Sequence, residues 1–570
     1  MNETQNPSKP AWWLAVIGLI LILSGAFLAH AVRTSGGVSV RDVRFAGSNG
    51  TVMSALLYVP AGASSSARVP GILAVHGYIN SRETQDGFAI EFARRGYVVL
   101  SLDQTGHGYS GGPAFSNGFG GPDGLRFLRS LPMVDRTQIG LEGHSMGGWT
   151  VLAAAAAMPD AYSAIVLEGS STGAPFAKEG SPVWPRNLAL VFSRYDEFSK
   201  IMWGVDRALD VPTSAKLKTV FGTDTAVVEG RVYGMIADGS ARILHQPNTT
   251  HPGDHFSTTA IGNAADWFAA TLKGGTPRPA SDQIWYWKEI GAGIGLIGFV
   301  MLILGSFDLL LRTTLFAEMR GHGVAARDSR DRAWWRVFTL SAALPALLFF
   351  PVFGAVYLLL PPSALLPQVV TTQVTVWALL GAGITLLISR FSVPAPISPQ
   401  SGWARSVLLA VATVAIGYAA LVVIDLVFKT DIRFWVVAVK LPSLRQWGIA
   451  ALYVVPLTFT YVVTLKTLCG ALTVRGDSAR KQYVTAILAL SLGFIVMLSV
   501  IYGLFFATGN LITAHDPLST VIALQFVPLL AVVAIISIFT WRRTGSHRPG
   551  ALIAGILVTL YIVAGTATQV

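Results

Sequence analysis

A Gly-x-Ser-x-Gly motif occupies residues 143–147 and places Ser145 between an apolar run and an alanine-rich segment. The apolar run predicts a buried strand, and the alanine-rich segment predicts a helix. A serine on such a strand-to-helix turn is accessible, and the N–H groups that open the helix point towards negative charge developing beside it. The motif therefore predicts a serine nucleophile for carbonyl chemistry, rather than an ordinary turn rich in glycine and serine.

The elements that must position this serine lie between residues 36 and 276, where short β-rich runs alternate with helical stretches and Gly/Pro/Asn turns. This alternation predicts an α/β domain with a largely parallel sheet. The predicted strands are residues 69–75, 97–102, 138–142, 164–167 and 188–192, and the predicted helices are residues 84–95, 147–158 and 261–272.

With Ser145 in this setting, residues 38–274 resemble the α/β-hydrolase superfamily, and within it the lipase, esterase and serine-aminopeptidase-like branch. A His-Gly turn at residues 76–77 and an Asp-x-x-Gly-x-Gly-x-Ser turn at residues 103–110 support this. The resemblance implies an oxyanion hole made by the backbone N–H groups of Tyr78 and Met146.

Two residues of those turns are assigned supporting roles by the same resemblance. His76 is expected to support its loop and not to act as the base. Asp103 is expected to be architectural, so it is not assigned as the acid of a catalytic triad.

A Ser-His-Asp triad is also implied, in the chain order serine, acid, base. Asp196 follows an apolar strand and a short loop and is the predicted acid, with Glu197 as its neighbouring rival. The favoured base is His251, because of its spacing after the predicted strand at residues 241–246. His255, which precedes the last helix of the domain, remains the alternative base.

The same histidines, with Asp254, could instead be metal ligands. Pro252 and Gly253 break the helix that a pair of ligands four residues apart would need, so we predict no metal and no other cofactor.

About 55 residues separate Asp196 from His251, more than the core of such a fold needs. This insertion carries apolar stretches at residues 201–203 and 233–236. It is either a surface excursion with its own small core, or a lid or acyl-chain contact that faces the bilayer.

The rest of the chain predicts membrane helices. Apolar residues make up 52% of the chain and charged residues 13%, about half the share of about 25% that is usual in soluble domains. Nine apolar runs are each long enough to cross about 30 Å of hydrocarbon. They are residues 12–32, 289–311, 337–360, 368–389, 404–428, 447–472, 483–506, 518–540 and 550–568.

These runs divide the chain into three predicted regions. Residues 1–35 form an amino-terminal transmembrane anchor, residues 36–276 an α/β-hydrolase domain, and residues 277–570 a membrane domain of about eight helices. The first run also contains Ala29 and Ala31 in the pattern of a signal-peptide cleavage site, but its length favours a retained anchor.

Basic loops orient the predicted bundle by the positive-inside rule. The loops expected in the cytoplasm are those with Arg312 to Arg336, with Arg390 and Arg405, with Arg475 to Lys481, and with Arg542 to Arg548. Alternation from these loops places the amino terminus in the cytoplasm and the hydrolase domain outside, in a multi-pass protein of the plasma (inner) membrane. One outer loop disagrees, and we interpret its residues 434–439 as an interfacial segment. Its basic residues are Lys429, Arg433, Lys440 and Arg445.

Charge and cysteine usage restrict the function further. Residues 36–280 contain equal numbers of basic and acidic side chains, so the formal charge of +11 lies entirely in the apolar regions and argues against a nucleic-acid partner. The single cysteine, Cys469, excludes an intramolecular disulfide.

The favoured function is cleavage of carboxylic esters, with acyl lipids as the expected substrate and the lipid bilayer as a partner. The alternatives are a serine peptidase or acyltransferase with the same triad, or a membrane transport or structural protein whose hydrolase domain is accessory. The oligomeric state stays open.

Overall fold

The computed structural model describes residues 10–321, 326–389 and 402–570, so the predicted cytoplasmic position of Arg390 lies outside the described residues. An eight-stranded sheet forms the centre of the amino-terminal half, in the order β1-β2-β4-β3-β5-β6-β7-β8. The strands are β1 (Ser39–Ala46), β2 (Val52–Val59), β3 (Val69–Val75), β4 (Val98–Asp103), β5 (Val134–His144), β6 (Ala164–Glu168), β7 (Leu188–Val191) and β8 (Arg242–His245). Strands β3 to β8 run parallel, which confirms the predicted largely parallel α/β sheet.

The antiparallel pair β1–β2 was not predicted. Strand β1 lies at the edge of the sheet and pairs only with β2. None of its residues is fully buried, so its sequence lacks the apolar run that marks the inner strands.

Helices cover both faces of the sheet. They are α2 (Asp86–Arg94), α3 (Gly121–Ser130), α4 (Met146–Ala157), α5 (Ser199–Trp203), α6 (Ala215–Phe221) and α7 (Thr258–Thr271). Alternate side chains of each strand enter two separate cores, so that Leu73 packs in one and Ile72 in the other. The sheet and these six helices are called the sheet domain below.

The remaining long helices form a bundle. They are α1 (Trp13–Arg33), α8 (Trp285–Leu310), α9 (Arg332–Leu359), α10 (Val369–Ser389), α11 (Trp403–Phe428), α12 (Leu444–Leu472), α13 (Ala479–Thr508), α14 (Pro517–Thr544) and α15 (Arg548–Gly565). These nine described helices are long and apolar enough to cross a membrane, which is compatible with a multi-pass membrane protein.

Helix α1 packs closely along α8 through small residues. A side chain at Gly25 would clash with the backbone of α8 at Gly291, and one at Gly18 would clash at Gly298. Such small-residue contacts let two apolar helices approach closely without a hydrophobic driving force between them. The first apolar run is therefore an integral part of the bundle.

The two ends of the bundle differ. One end meets the sheet domain, and the other carries arginine-rich connections that are partly paired with acids. At this arginine-rich end Asp308 binds Arg543 at 2.8 Å and Arg312 at 3.0 Å, and Arg330 binds Asp477 at 2.7 Å.

A two-stranded hairpin, β9 (Ile432–Phe434) and β10 (Val437–Val439), follows α11 at the end that meets the sheet domain. Its residue Arg433 donates to Ser81 Oγ at 3.0 Å and pairs with Asp431 at 3.2 Å. Trp435 between the strands donates to the carbonyl of Pro252 at 3.1 Å. The basic loop that disagreed with the charge rule thus contains a docking element for the sheet domain.

Candidate active site

Ser145 lies between β5 and α4 with φ 56° and ψ −121°, a strained conformation for a residue with a side chain. Hydrogen bonds to both its backbone N–H and its carbonyl hold it. Its N–H donates to the carbonyl of Glu168 at 2.8 Å, and its carbonyl accepts from Ser170 Oγ at 2.7 Å. The turn therefore fixes the serine at the carboxyl end of the parallel strands. Ser145 itself is only 8% exposed.

The glycines of the motif are required by close packing. A Cβ at Gly143 would clash with the backbone of Gly147, and one at Gly147 would clash with the carbonyl of Val75 on the neighbouring strand. Only glycine allows the helix and the two strands to meet this closely.

His251 and Asp196 are brought together by the loops that follow β8 and β7. His251 Nδ1 lies 2.8 Å from Asp196 Oδ2, a hydrogen bond in which the ring N–H donates to the carboxylate. The other oxygen of Asp196 accepts from the backbone N–H of Phe198 at 2.8 Å. This arrangement fixes the ring so that Nε2 is left to accept a proton.

His255 lies beside this pair but has different contacts. Its ring is 4.2 Å from the ring of His144 and packs edge-on against Phe88. Neither ring nitrogen has a hydrogen-bond partner among the residues that the structure describes. The geometry therefore favours His251 over His255 as the partner of the acid.

Burial controls the charge of these groups. Burial lowers the pKa of His251 to about 4. Burial also raises the pKa of Asp196 well above its usual value, and the negative charge of the nearby Asp254 raises it further. Burial and the neighbouring Asp196 raise the pKa of Glu197 to about 8. His251 is therefore neutral at neutral pH and able to accept a proton.

Glu197, the rival acid, does not contact the histidine ring in the way Asp196 does. Its Oε2 accepts from the backbone N–H of His251 at 2.8 Å, and its Oε1 accepts from the hydroxyl of Tyr502 at 2.8 Å. Tyr502 belongs to α13 of the bundle, so a bundle helix is connected to the histidine loop through one carboxyl group.

Tyr78 and Met146, the predicted donors of an oxyanion hole, line the same cavity as Ser145. Met146 is the first residue of α4, so its N–H has no acceptor within the helix. The N–H of Tyr78 donates to no described residue. Gly77, just before Tyr78, packs so tightly against the serine that a Cβ there would lie 3.1 Å from Ser145 Cβ.

The supporting residues have structural partners. His76 Nε2 accepts from the N–H of Gln104 at 3.2 Å. Asp103 accepts from Ser54 Oγ at 2.9 Å and from the N–H groups of Arg82 and Tyr109 at 2.9 and 3.0 Å. Both residues are fully buried, as the architectural interpretation expects.

A cavity of about 1190 Å³ joins this site to the bundle. Ser145, His251 and Met146 line it on the side of the sheet domain, with Trp149 and Phe198. Residues of α9, α10, α14 and α15 line it on the opposite side. The nucleophile thus faces a space that both parts of the chain enclose.

The insertion between Asp196 and His251 divides into two parts. Ile201 and Met202 line the cavity, as an acyl-chain contact would. Met235 and Ile236 lie on the surface instead and are largely exposed. The first stretch of the insertion therefore faces the cavity, and the second lies on the surface.

Two residues at the site, Gly169 and Tyr502, were not predicted from the sequence. A Cβ at Gly169 would lie 2.8 Å from His251 Nδ1, so this glycine makes room for the ring. It directly follows β6, and a glycine at the carboxyl end of an inner strand is the signal that could have revealed it. Tyr502 lies in an apolar run with no local pattern that could connect it to Glu197.

Among the described residues, no group of three or more His, Cys, Asp or Glu side chains is arranged to hold a metal ion.

Part of the sheet domain is similar to known proteins. Residues 70–200 match a family described as the alpha/beta hydrolase fold. A monoacylglycerol lipase from Mycolicibacterium smegmatis is 33% identical over 115 residues, which are 18% of this chain and 38% of the lipase. The chain thus spans less than half the length of this curated relative.

Solved structures similar to this chain include two hydrolases. An esterase from Pyrococcus furiosus is 15% identical, with a TM-score of 0.30, and the match covers 41% of this chain and 94% of the esterase. A dienelactone hydrolase from Anabaena variabilis is 19% identical, with a TM-score of 0.29, and the match covers 41% of this chain and 99% of that enzyme.

Proposed function

We propose that the chain is a membrane-anchored serine hydrolase, in which an α/β-hydrolase domain is joined to a bundle of long apolar helices. It cleaves carboxylic esters, with acyl lipids as its substrates. One observation carries the proposal: the strained Ser145 lines the same cavity as His251, whose ring is hydrogen-bonded to Asp196. The similarity to a monoacylglycerol lipase supports an ester substrate.

The proposed reaction begins when Ser145 Oγ attacks the ester carbonyl and its proton passes to His251 Nε2. Asp196 stabilises the resulting imidazolium, and the N–H groups of Tyr78 and Met146 stabilise the oxyanion. The carbonyl–oxygen bond to the alcohol breaks, and His251 returns the proton to the departing alcohol. Water then attacks the acyl-enzyme, with His251 as the base, and the acid leaves while Ser145 regains its proton.

We also propose that the sheet domain lies outside the cytoplasm, with the amino terminus inside. Two observations support this orientation. The arginine-rich connections lie at the end of the bundle away from the sheet domain, and basic loops favour the cytoplasm. The basic loop that disagrees contacts the sheet domain through Arg433 and Trp435, so docking accounts for part of its charge.

The test of the catalytic proposal is Ser145→Ala in the purified full-length protein. We expect ester hydrolysis to fall by about a millionfold, as in other serine hydrolases that lose their nucleophile. Labelling by a fluorophosphonate should be lost in parallel. Ser163→Ala, a change at a serine beyond the end of α4, is the matched control and should retain both activities. Unchanged hydrolysis in Ser145→Ala would overturn the assignment.

A further inference from the structure

The bundle side of the cavity is built for an apolar ligand. Six of its lining residues are Phe353 of α9, Val374 of α10, Ile522, Phe526 and Leu529 of α14, and Ile562 of α15. Two polar side chains in the same wall already have partners within the protein. Gln373 donates to the carbonyl of Phe353 at 3.0 Å, and Gln525 accepts from the Tyr561 hydroxyl at 2.6 Å. Both glutamines are therefore hydrogen-bonded within the bundle, and the side chains around them are mainly apolar.

The cavity reaches far into the bundle. Leu529 lies twelve residues after Pro517, where α14 begins. At about 1.5 Å of rise per residue, this corresponds to a depth of roughly 18 Å, more than half of a hydrocarbon core of about 30 Å. A compact polar substrate would not need such depth.

The cavity also opens beside the bundle. Tyr357 and Leu358 line it at the end of α9 that meets the sheet domain, yet they are 69% and 79% exposed. The end of α9 lies where an apolar helix would leave the hydrocarbon core. An opening there gives bilayer lipids access to the cavity from the side.

From these observations we infer that the bundle supplies the acyl-chain site of the enzyme. The acyl chain of a bilayer lipid enters beside the end of α9 and lies between α9, α10, α14 and α15, with its ester carbonyl at Ser145. This inference rests on the proposed function and names its substrate class, a lipid with a long acyl chain. It also gives the bundle a role beyond anchoring.

Two glycines allow a direct test. Gly354 of α9 lines the cavity, whereas Gly503 of α13 is not among the lining residues. A Cβ at either position meets no atom within 4 Å, so both sites accept a larger side chain. Gly354→Phe fills the acyl-chain site, and Gly503→Phe makes the same change elsewhere on the bundle.

The readout is the ratio of kcat/KM for a palmitate ester to that for a butyrate ester, measured on full-length protein in lipid nanodiscs. Gly354→Phe should lower this ratio by about tenfold or more, the effect of keeping roughly two methylene groups out of an apolar site. Gly503→Phe should leave the ratio unchanged. Gly565→Phe, at a second lining glycine with open space around it, should repeat the result of Gly354→Phe.

The two proposals fail in distinguishable ways. If both lining variants are folded and hydrolyse the two esters in the wild-type ratio, the acyl-chain site is wrong while the hydrolase assignment stands. If Ser145→Ala still hydrolyses butyrate esters, the hydrolase assignment itself is wrong.

Discussion

The two walls of the cavity differ in what they present to a ligand. The wall from the sheet domain holds polar groups in fixed positions, such as His251 against Asp196. The wall from the bundle is mainly apolar, and two of its polar side chains, Gln373 and Gln525, are hydrogen-bonded within the protein. In the proposed enzyme, cleavage of the ester bond therefore depends on the wall from the sheet domain. Selection for the length of the acyl chain depends on the wall from the bundle. Changes to the first should affect all substrates equally, and changes to the second should depend on chain length.

After the loss of the nucleophile itself, the largest effect should come from the base on the sheet-domain wall. His251→Gln should lower kcat/KM for palmitate and butyrate esters alike, by about 10⁴-fold or more, because the serine loses its proton acceptor. His255→Gln is the matched control and should stay within about tenfold of wild type, since His255 has no contact with Asp196 like that of His251. Steady-state kinetics on both variants measure the two losses of kcat/KM. A greater loss in His255→Gln than in His251→Gln would make His255 the base instead.

The next largest effect is a pH dependence of kcat/KM that His251, on the same wall, should cause. Burial lowers the pKa of His251 to about 4, below the value of about 6.5 for an unperturbed histidine. The neutral ring is the active form, so kcat/KM should persist below pH 6.5 and then fall about tenfold per pH unit below about pH 4.

The same shift has a consequence for stability. Because the unfolded chain binds this proton more readily, stability contributed by the neutral ring is present above about pH 6.5 and is lost as the pH falls towards 4.

The pH profiles of kcat/KM for the palmitate and butyrate esters should share one acid limb. A limb centred at or above pH 6.5 would contradict the assignment of a buried base.

The smallest effect should come from one of the hydrogen bonds between the bundle and the sheet domain. Tyr502→Phe removes the hydroxyl that α13 donates to Glu197, a bond worth about 1 kcal/mol. We expect kcat to fall by less than about tenfold for both esters, with their ratio unchanged, because Glu197 positions the His251 loop. Tyr461→Phe, elsewhere in the bundle, controls for the loss of a hydroxyl. A changed chain-length ratio in Tyr502→Phe would place Tyr502 on the binding wall instead.

The sequence predicts those features that local patterns determine. The strand, turn and helix around Ser145 follow from a short motif, and strands β3 to β7 follow from apolar runs of the right length, whereas the buried strand β2 was missed although it has such a run. Strand β1 could not be predicted in this way, because an edge strand with no fully buried residue has no such run. The sequence favours His251 over His255 only by its spacing, because the contact with Asp196 that distinguishes the two rings forms in the folded chain.

The basic loop after α11 shows a different limit. A rule based on loop charge compares only the two sides of a membrane. It cannot register that Arg433 pairs with Asp431 and contacts Ser81 of the sheet domain. The cavity is likewise a tertiary feature, since its two walls come from parts of the chain that are hundreds of residues apart.

The central claim, that both walls enclose one lipid site, can be tested in a single labelling experiment. Full-length protein in nanodiscs is treated with a long-chain fluorophosphonate that carries a diazirine in its alkyl tail, irradiated, digested and mapped by mass spectrometry. We predict that the phosphonate is attached to Ser145 and that the tail is cross-linked to the cavity-lining segments of α9 and α14. Attachment at another residue, or cross-links confined to the surface of the sheet domain, would contradict the account.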